Sequence, residues 1–156
     1  MSILETVGAI IVGLLLIGAA AFGLYAAFGK SNVATMEQNL VLLRMQTQQF
    51  FFGTNYDNLD NEVAIKAGIV PKAFLKGDTL KNSWGGDVTL SSDTANGTFT
   101  IEMDNIPQDA CIQLARFQPD SWESVSVNGA DIDATDVAGI ADACGQSANT
   151  LGFTAR

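Results

Sequence analysis

Histidine is absent from the 156 residues, and only two cysteines and three prolines are present. Without an imidazole there is no Ser-His-Asp triad, no Cys-His dyad and no His-ligated metal site. Basic residues are scarce as well: 8 Lys+Arg face 17 Asp+Glu, for a net charge of -9. Phosphate binding needs a basic face, so this balance argues against nucleic acid as a partner. Only 16% of the chain is charged, 47% is hydrophobic, and the mean hydropathy is +0.21. An acidic chain that is apolar on average must segregate its acidic and apolar residues. The length suits one modest domain.

The apolar material lies at the start. Residues 6–29 carry no charge, and Lys30 ends the run. As a helix at 1.5 Å per residue, such a stretch spans roughly 36 Å, enough for a bilayer core of about 30 Å. Charge then rises along the chain: residues 1–30 are neutral, 31–99 sum to -2 and 100–156 to -7. A secretory signal peptide needs a basic n-region and a shorter apolar core, whereas Met1-Ser2-Ile3-Leu4-Glu5 has an acid and no Lys or Arg. A plain single-span anchor fits the length. The positive-inside rule, however, would hold Lys30 and the cysteine-bearing remainder in the cytoplasm. A basic segment once present before Met1, and since removed, resolves that conflict.

Glu5 is the telling residue. A carboxylate beside a membrane span is costly and marks a functional position by default. Ser2 and Glu5 also match the S-x-x-E capping box, and the two roles are compatible. A Glu at the fifth residue, beside a terminal amine and followed by an unbroken apolar helix, resembles the mature N-terminus of type IV pilins. The resemblance implies that a prepilin peptidase removes a basic leader and methylates the new terminus, here Met1. It also implies that Glu5 neutralises the amine of a neighbouring subunit during assembly. Breaking such a buried pair costs about 3–5 kcal/mol, which suits a register device.

The rest of the stem agrees. Glycines 8, 13, 18 and 23 recur every five residues and so wind around a helix rather than forming one stripe. Ala19, Gly23 and Ala27 do share a face, a small-xxx-small pattern that favours close helix contact in membranes. Beyond Lys30 the pattern predicts an amphipathic continuation, with Val33, Met36, Leu40, Leu43 and Phe50 on the stripe that packs on the head. Gly53 reads as the stop. One helix from about residue 2 to 52 would be about 75 Å long. The expected organisation is a membrane or filament-core half (1–29), an amphipathic half (30–52) and a globular head (53–156).

In the head, short helical pieces are expected at Tyr56–Leu59 and Asn61–Gly68, with Gly68 as C-cap. Asn82-Ser83-Trp84-Gly85-Gly86 reads as a turn. The clearest β signal is a hairpin in which Val88 and Leu90 alternate, Asn96-Gly97 turns, and Phe99, Ile101 and Met103 alternate on the return. A helix is expected over 109–117, a strand over Ser124–Val127 before an Asn128-Gly129 turn, a helix over 135–143 with Thr135 as N-cap, and a terminal strand over Thr150–Thr154. The fold class is α+β: a long helix against an antiparallel sheet. The passage NEVAIKAGIVPKAF…LKNSWGGDVTL (61–90) is similar to the αβ-loop and first strand of type IVb pilins of the bundle-forming and conjugative thin-pilus groups. Ser83 stands where those groups commonly have Pro.

Composition alone leaves Cys111 and Cys144 open between free buried thiols, a metal pair and a disulfide, although two cysteines without histidine make a poor metal site. The resemblance places them where type IVb pilins carry their single disulfide, enclosing the variable C-terminal region. Asp131, Asp133 and Asp136 lack the glycine and distal Glu of a calcium loop and read as a solvated acidic loop. Asn96-Gly97-Thr98 matches a glycosylation sequon, but the hairpin turn explains it. Trp84 and Trp122 read as core or interface aromatics.

The resemblance thus implies a structural subunit rather than an enzyme, with no catalytic residue, cofactor or metal. It implies a major pilin held in the bacterial inner membrane, then polymerised with copies of itself into an extracellular pilus for adhesion, aggregation or conjugative contact. Its partners are those copies, a prepilin peptidase and an assembly machinery. Alternatives are a pseudopilin or minor pilin, or a membrane-anchored periplasmic binding protein that never polymerises.

Overall fold

The computed structural model describes residues 32–156. The expected apolar span, Met1 and Glu5 lie outside the described residues. Within the described part, residues Thr35–Arg156 gather into one compact unit.

Helix α1 covers residues 32–50. From Met36 onward its inward face is Met36, Leu40, Leu43 and Thr47, all fully buried. Thr47 occupies a core position because its hydroxyl donates to the Leu43 carbonyl one turn back (2.7 Å), which satisfies the polar atom internally. The expected stripe ended on Phe50, and this is corrected: Phe50 is exposed and Phe51 is buried. Each heptad falls about 20° short of two full turns, so Phe50 has drifted off the stripe that Met36 began. The Phe51 amide still donates to the Thr47 carbonyl, which turns that ring inward. Gly53, at φ 79, then ends the helical path.

The segment expected to be helical at Tyr56–Leu59 is instead a run of turns, with Asn55, Tyr56 and Asn58 in the left-handed region. That path lets the Tyr56 ring pack 4.7 Å from Phe99. Helix α2 (Asn61–Ala67) is as expected: the Asp60 carboxylate caps its start and Gly68, at φ 72, its end. A small hairpin of β1 (Leu75–Lys76) and β2 (Thr79–Leu80) follows, turning on Gly77.

The main sheet has five strands: β3 (Val88–Asp93), β4 (Thr98–Ile106), β5 (Ser124–Val127), β6 (Ala130–Asp131) and β7 (Asn149–Ala155). Their order is β3-β4-β7-β5-β6, and every neighbouring pair is antiparallel. The β3–β4 hairpin pairs Val88 with Met103 and Leu90 with Ile101, as the alternation predicted. Its connection is longer than a two-residue turn because the Asp93 carboxylate accepts from the Asn96 amide and side chain. Asn128-Gly129 does make a two-residue turn, both residues at positive φ, and joins β5 to β6.

The last strand is longer than predicted and lies at the centre of the sheet. β7 lies between β4 and β5 and contributes the fully buried Leu151 and Phe153. Helix α3 (Gln108–Ala115) buries Ala110, Cys111, Leu114 and Ala115. Helix α4 (Val137–Ala143) starts two residues later than predicted. Its N-cap is Asp136, which accepts from the Gly139 amide, while the expected cap, Thr135, bonds back to Asp133.

Candidate assembly surfaces

Three features organise the head. The first is the C-terminal region closed by Cys111 and Cys144, which form a disulfide with Cα atoms 5.8 Å apart. Cys111 lies within α3 and Cys144 caps the end of α4, so the bridge encloses β5, β6, the acidic loop and α4.

The free end of that region is tied to the sheet by Asn149, which is 1% exposed. Its amide nitrogen lies within bonding distance of the carbonyls of Gln146 (2.9 Å), Ile106 (3.1 Å) and Cys144 (3.3 Å). Two N–H groups serve three acceptors, so one hydrogen is shared. Its carbonyl oxygen accepts from Asn128 Nδ2 and from the Gln146 amide. Asn149 thus joins β4, the disulfide and the β5–β6 turn at one point. In the sequence it stands in a polar Ser-Ala-Asn-Thr stretch, and no local signal marks it.

The second feature is the Trp84-Gly85-Gly86 turn that carries part of the resemblance. The Asn82 side chain accepts from the Trp84 and Gly86 amides and donates to the Asp104 carbonyl. A Cβ on Gly86 would stand 2.0 Å from that same carbonyl oxygen. Gly85 sits at φ 76. The two glycines therefore answer different demands, close approach at Gly86 and left-handed backbone at Gly85.

The third feature is α1 itself. Arg44 reaches across to donate to the Ser121 carbonyl (2.8 Å), and its guanidinium lies 5.0 Å from the Trp122 ring centre. This stacks a cation on an aromatic face. Trp122 is buried against Phe153, with ring centres 5.0 Å apart, whereas Trp84 is half-buried. Gln48 donates to the terminal Arg156 carbonyl. Burial raises the Glu37 carboxyl above its ordinary value. On the side of α1 away from the core, Leu42 (43% exposed), Met45 (47%) and Phe52 (89%) face outward.

The acidic loop residues act locally. Asp133 accepts from Thr135, which lowers its pKa, and Asp136 caps α4. Among the described residues no cluster of three or more His, Cys, Asp or Glu is placed to hold a metal ion. No helix of the described residues is long and apolar enough to cross a membrane. The predicted site residues Met1 and Glu5 lie outside the described residues.

A helix over residues 32–50 laid on a five-stranded antiparallel sheet, with a disulfide closing the C-terminal region, is the arrangement of a pilin head. The family model described as PilS N terminal matches residues 30–156. The chain belongs to that family and is a type IV pilin, a structural subunit and not an enzyme. Among solved structures it is similar to TcpA, a type IV pilin from the Vibrio cholerae El Tor biotype, with a TM-score of 0.58. At 14% identity, over 81% of this chain and 99% of that one, the likeness concerns the fold. No curated protein matches the sequence.

Proposed function

We propose that this chain is the major subunit of a type IVb pilus. The family and fold give a pilus structural subunit, and polymerisation follows from the family. The observation that carries the finer reading is the disulfide-closed C-terminal region pinned to a central last strand by Asn149. It supports the type IVb subgroup to which the sequence is similar, and it favours a pilin over a pseudopilin.

In this reading, residues 1–29 anchor the subunit in the inner membrane and then join the filament core. Residues 30–52 carry the head, and residues 53–156 form the acidic outer surface. Met1 is the processed, methylated terminus, produced by a prepilin peptidase. Glu5 pairs with a neighbour's amine as an assembly machinery inserts each copy. The filament serves adhesion, aggregation or conjugative contact.

Electron microscopy of sheared surface material tests the reading. Thin filaments composed of this chain are expected from the wild type and are expected to be lost with Glu5→Val. A wild type that stays monomeric in the membrane would overturn the proposal in favour of a non-polymerising anchor. Intact-mass measurement of the N-terminus tests the processing step: methylated Met1 is expected.

A further inference from the structure

Two Asn-Gly pairs turn the chain in the head, Asn96-Gly97 between β3 and β4 and Asn128-Gly129 between β5 and β6. The same dipeptide is open to attack on its own side-chain amide, because glycine has no side chain to shield the backbone nitrogen that follows. Both asparagines are exposed, and among the described residues neither glycine amide makes a hydrogen bond. Exposure and nucleophile therefore do not separate the two turns; the side chains do. Asn128 is held at both ends of its amide. Its Nδ2 donates to the Ala143 carbonyl (2.9 Å) and to Asn149 Oδ1 (3.0 Å), and its Oδ1 accepts from the Thr150 amide (2.9 Å). Those partners sit on the end of α4 and on β7, so the Asn128 side-chain carbon cannot swing toward Gly129 without leaving all three. Asn96 is held at one end only. Its Nδ2 donates to Asp93 Oδ2 (2.7 Å), and among the described residues its Oδ1 has no donor. Asp93 is exposed and borders the same turn, so it moves with the group it holds.

We propose that Asn96 is a site of spontaneous deamidation in the folded head, and that Asn128, in the same dipeptide, is protected by its fixed amide. The Gly97 nitrogen attacks Asn96 Cγ, forming a C–N bond. The Cγ–Nδ2 bond breaks, and ammonia leaves with the proton that Gly97 gives up. Water then opens the cyclic imide at either carbonyl, giving aspartate or isoaspartate. No oxidant or reductant takes part, and solvent water is the only co-reactant. Asn128 can follow this course only from molecules in which its turn has opened, so its rate is cut by the small fraction that is open. The change has a local consequence. A carboxylate replaces the Nδ2 donor and faces the Asp93 carboxylate, which turns an attractive contact into a like-charge one. Isoaspartate also lengthens the backbone between residues 96 and 97, within the turn and outside the Asp93–Thr98 pair that ends the ladder. The chain gains a negative charge beyond its -9.

The test uses the full chain in detergent, held folded in mildly alkaline buffer, with a parallel sample in concentrated urea. Samples taken over time are reduced and cut with trypsin. Cleavage after Lys81, Arg116 and Arg156 puts the two asparagines on separate peptides, 82–116 and 117–156. Fragment masses locate the amide-to-acid change, and chromatography separates the aspartate and isoaspartate forms. In the folded chain Asn96 is expected to convert at least about tenfold faster than Asn128. In urea, where neither side chain is held, the two are expected to convert at similar rates. Isoelectric focusing of the folded sample should show a more acidic band growing with time, absent from Asn96→Gln. Equal conversion of Asn96 and Asn128 in the folded chain overturns the inference, since the fixed amide would then give no protection. Conversion of Asn96 in urea but not in the folded chain also overturns it, because the Asp93 contact would then hold Asn96 as firmly. The measurement does not depend on polymerisation, so its failure leaves the pilus reading standing.

Discussion

Replacing Asn149 by alanine removes a side chain of small volume and a large share of what fixes the C-terminal region to the sheet. The Ile106 and Cys144 carbonyls bonded by Asn149 are in buried contacts, while the Gln146 and Asn128 groups lie nearer solvent. A buried group left without a partner costs about 1–3 kcal/mol, and groups that water can reach cost much less. Two buried carbonyls and partial losses at the rest give a destabilisation of about 3–5 kcal/mol. For a unit of roughly 120 residues, unfolding entropy near 60 °C is about 0.25 kcal/mol/K, so the melting temperature should fall by about 12–20 °C.

The assay is thermal unfolding of the full chain in detergent, followed by tryptophan near-ultraviolet dichroism. Trp122 is buried against Phe153 and therefore reports on the head. Asn149→Asp is the sharper variant. It keeps the acceptor oxygen but removes the donor, and sets a carboxylate against the carbonyls of Ile106 and Cys144. It should melt lower than the alanine variant at neutral pH and recover part of the difference once acid protonates it. A fall of less than about 3 °C for Asn149→Ala would show that water or a small shift replaces these bonds, and would refute the reasoning.

Loss of the disulfide by Cys111→Ser with Cys144→Ser opens a sequence separation of 33. The chain-entropy relation gives about 3–4 kcal/mol for that loop, read as a lower urea midpoint with unchanged slope. Gly86→Ala forces the Asp104 carbonyl to move, because 2.0 Å is far inside contact distance. It should cost about 2–4 kcal/mol, whereas Gly145→Ala, 3.0 Å from the Asp142 carbonyl, should cost visibly less in the same melt. Asp93 and Asp133 are held below the ordinary 3.8 by hydrogen bonds, first from the Asn96 side chain and from the Thr135 side chain respectively. Their folded values lie under the unfolded ones, so their contribution is full above pH 3.8 and is lost as pH falls through the lowered values. Glu37, raised by burial, acts oppositely: stability declines as pH rises through the interval between its ordinary 4.5 and its raised value. Carboxyl carbon shifts followed by NMR should place Asp93 and Asp133 midpoints below 3.8 and Glu37 above 4.5, and the reverse order would contradict the geometry.

Much of the head was legible because its signals are local. Val88, Leu90, Phe99, Ile101 and Met103 alternate with a period of two, and Gly68 marks the end of a seven-residue helix. The Asn128-Gly129 turn needed positive φ at both residues, which that dipeptide accepts. What was not legible depends on contacts far apart in the chain. β7 became the centre of the sheet because β4 and β5 both pair with it, and Thr150–Thr154 alone carries no sign of that. Gly152 leaves room for the Ser126 hydroxyl, which a Cβ would meet at 2.6 Å, so the strand interior tolerates glycine for a cross-strand reason. Asn149 bridges residues 21 and 43 positions away. The cap on α4 was misplaced by one residue because Thr135 had a competing acceptor in Asp133.

The helix α1 shows most clearly where periodicity stops being sufficient. Its sequence holds two stripes of comparable apolarity, Met36-Leu40-Leu43-Thr47 and Leu42-Met45-Phe52 flanked by glutamines, and the inward one contains a threonine. The first stripe, begun by Val33, is the longer one, and Gln49 interrupts the second. What flanks the first adds to the choice. Arg44 borders it and reaches Trp122 and the Ser121 carbonyl, and Gln48 borders it on the way to Arg156. Phe51, not Phe50, closes its end. Those polar and aromatic ties are long-range and weak in any sequence window, yet they help decide which face folds. The face left over retains Leu42, Met45 and Phe52, three side chains whose burial the isolated head does not use. A subunit that must fold once and then assemble needs such a division, because burial spent on the head cannot also drive packing between copies.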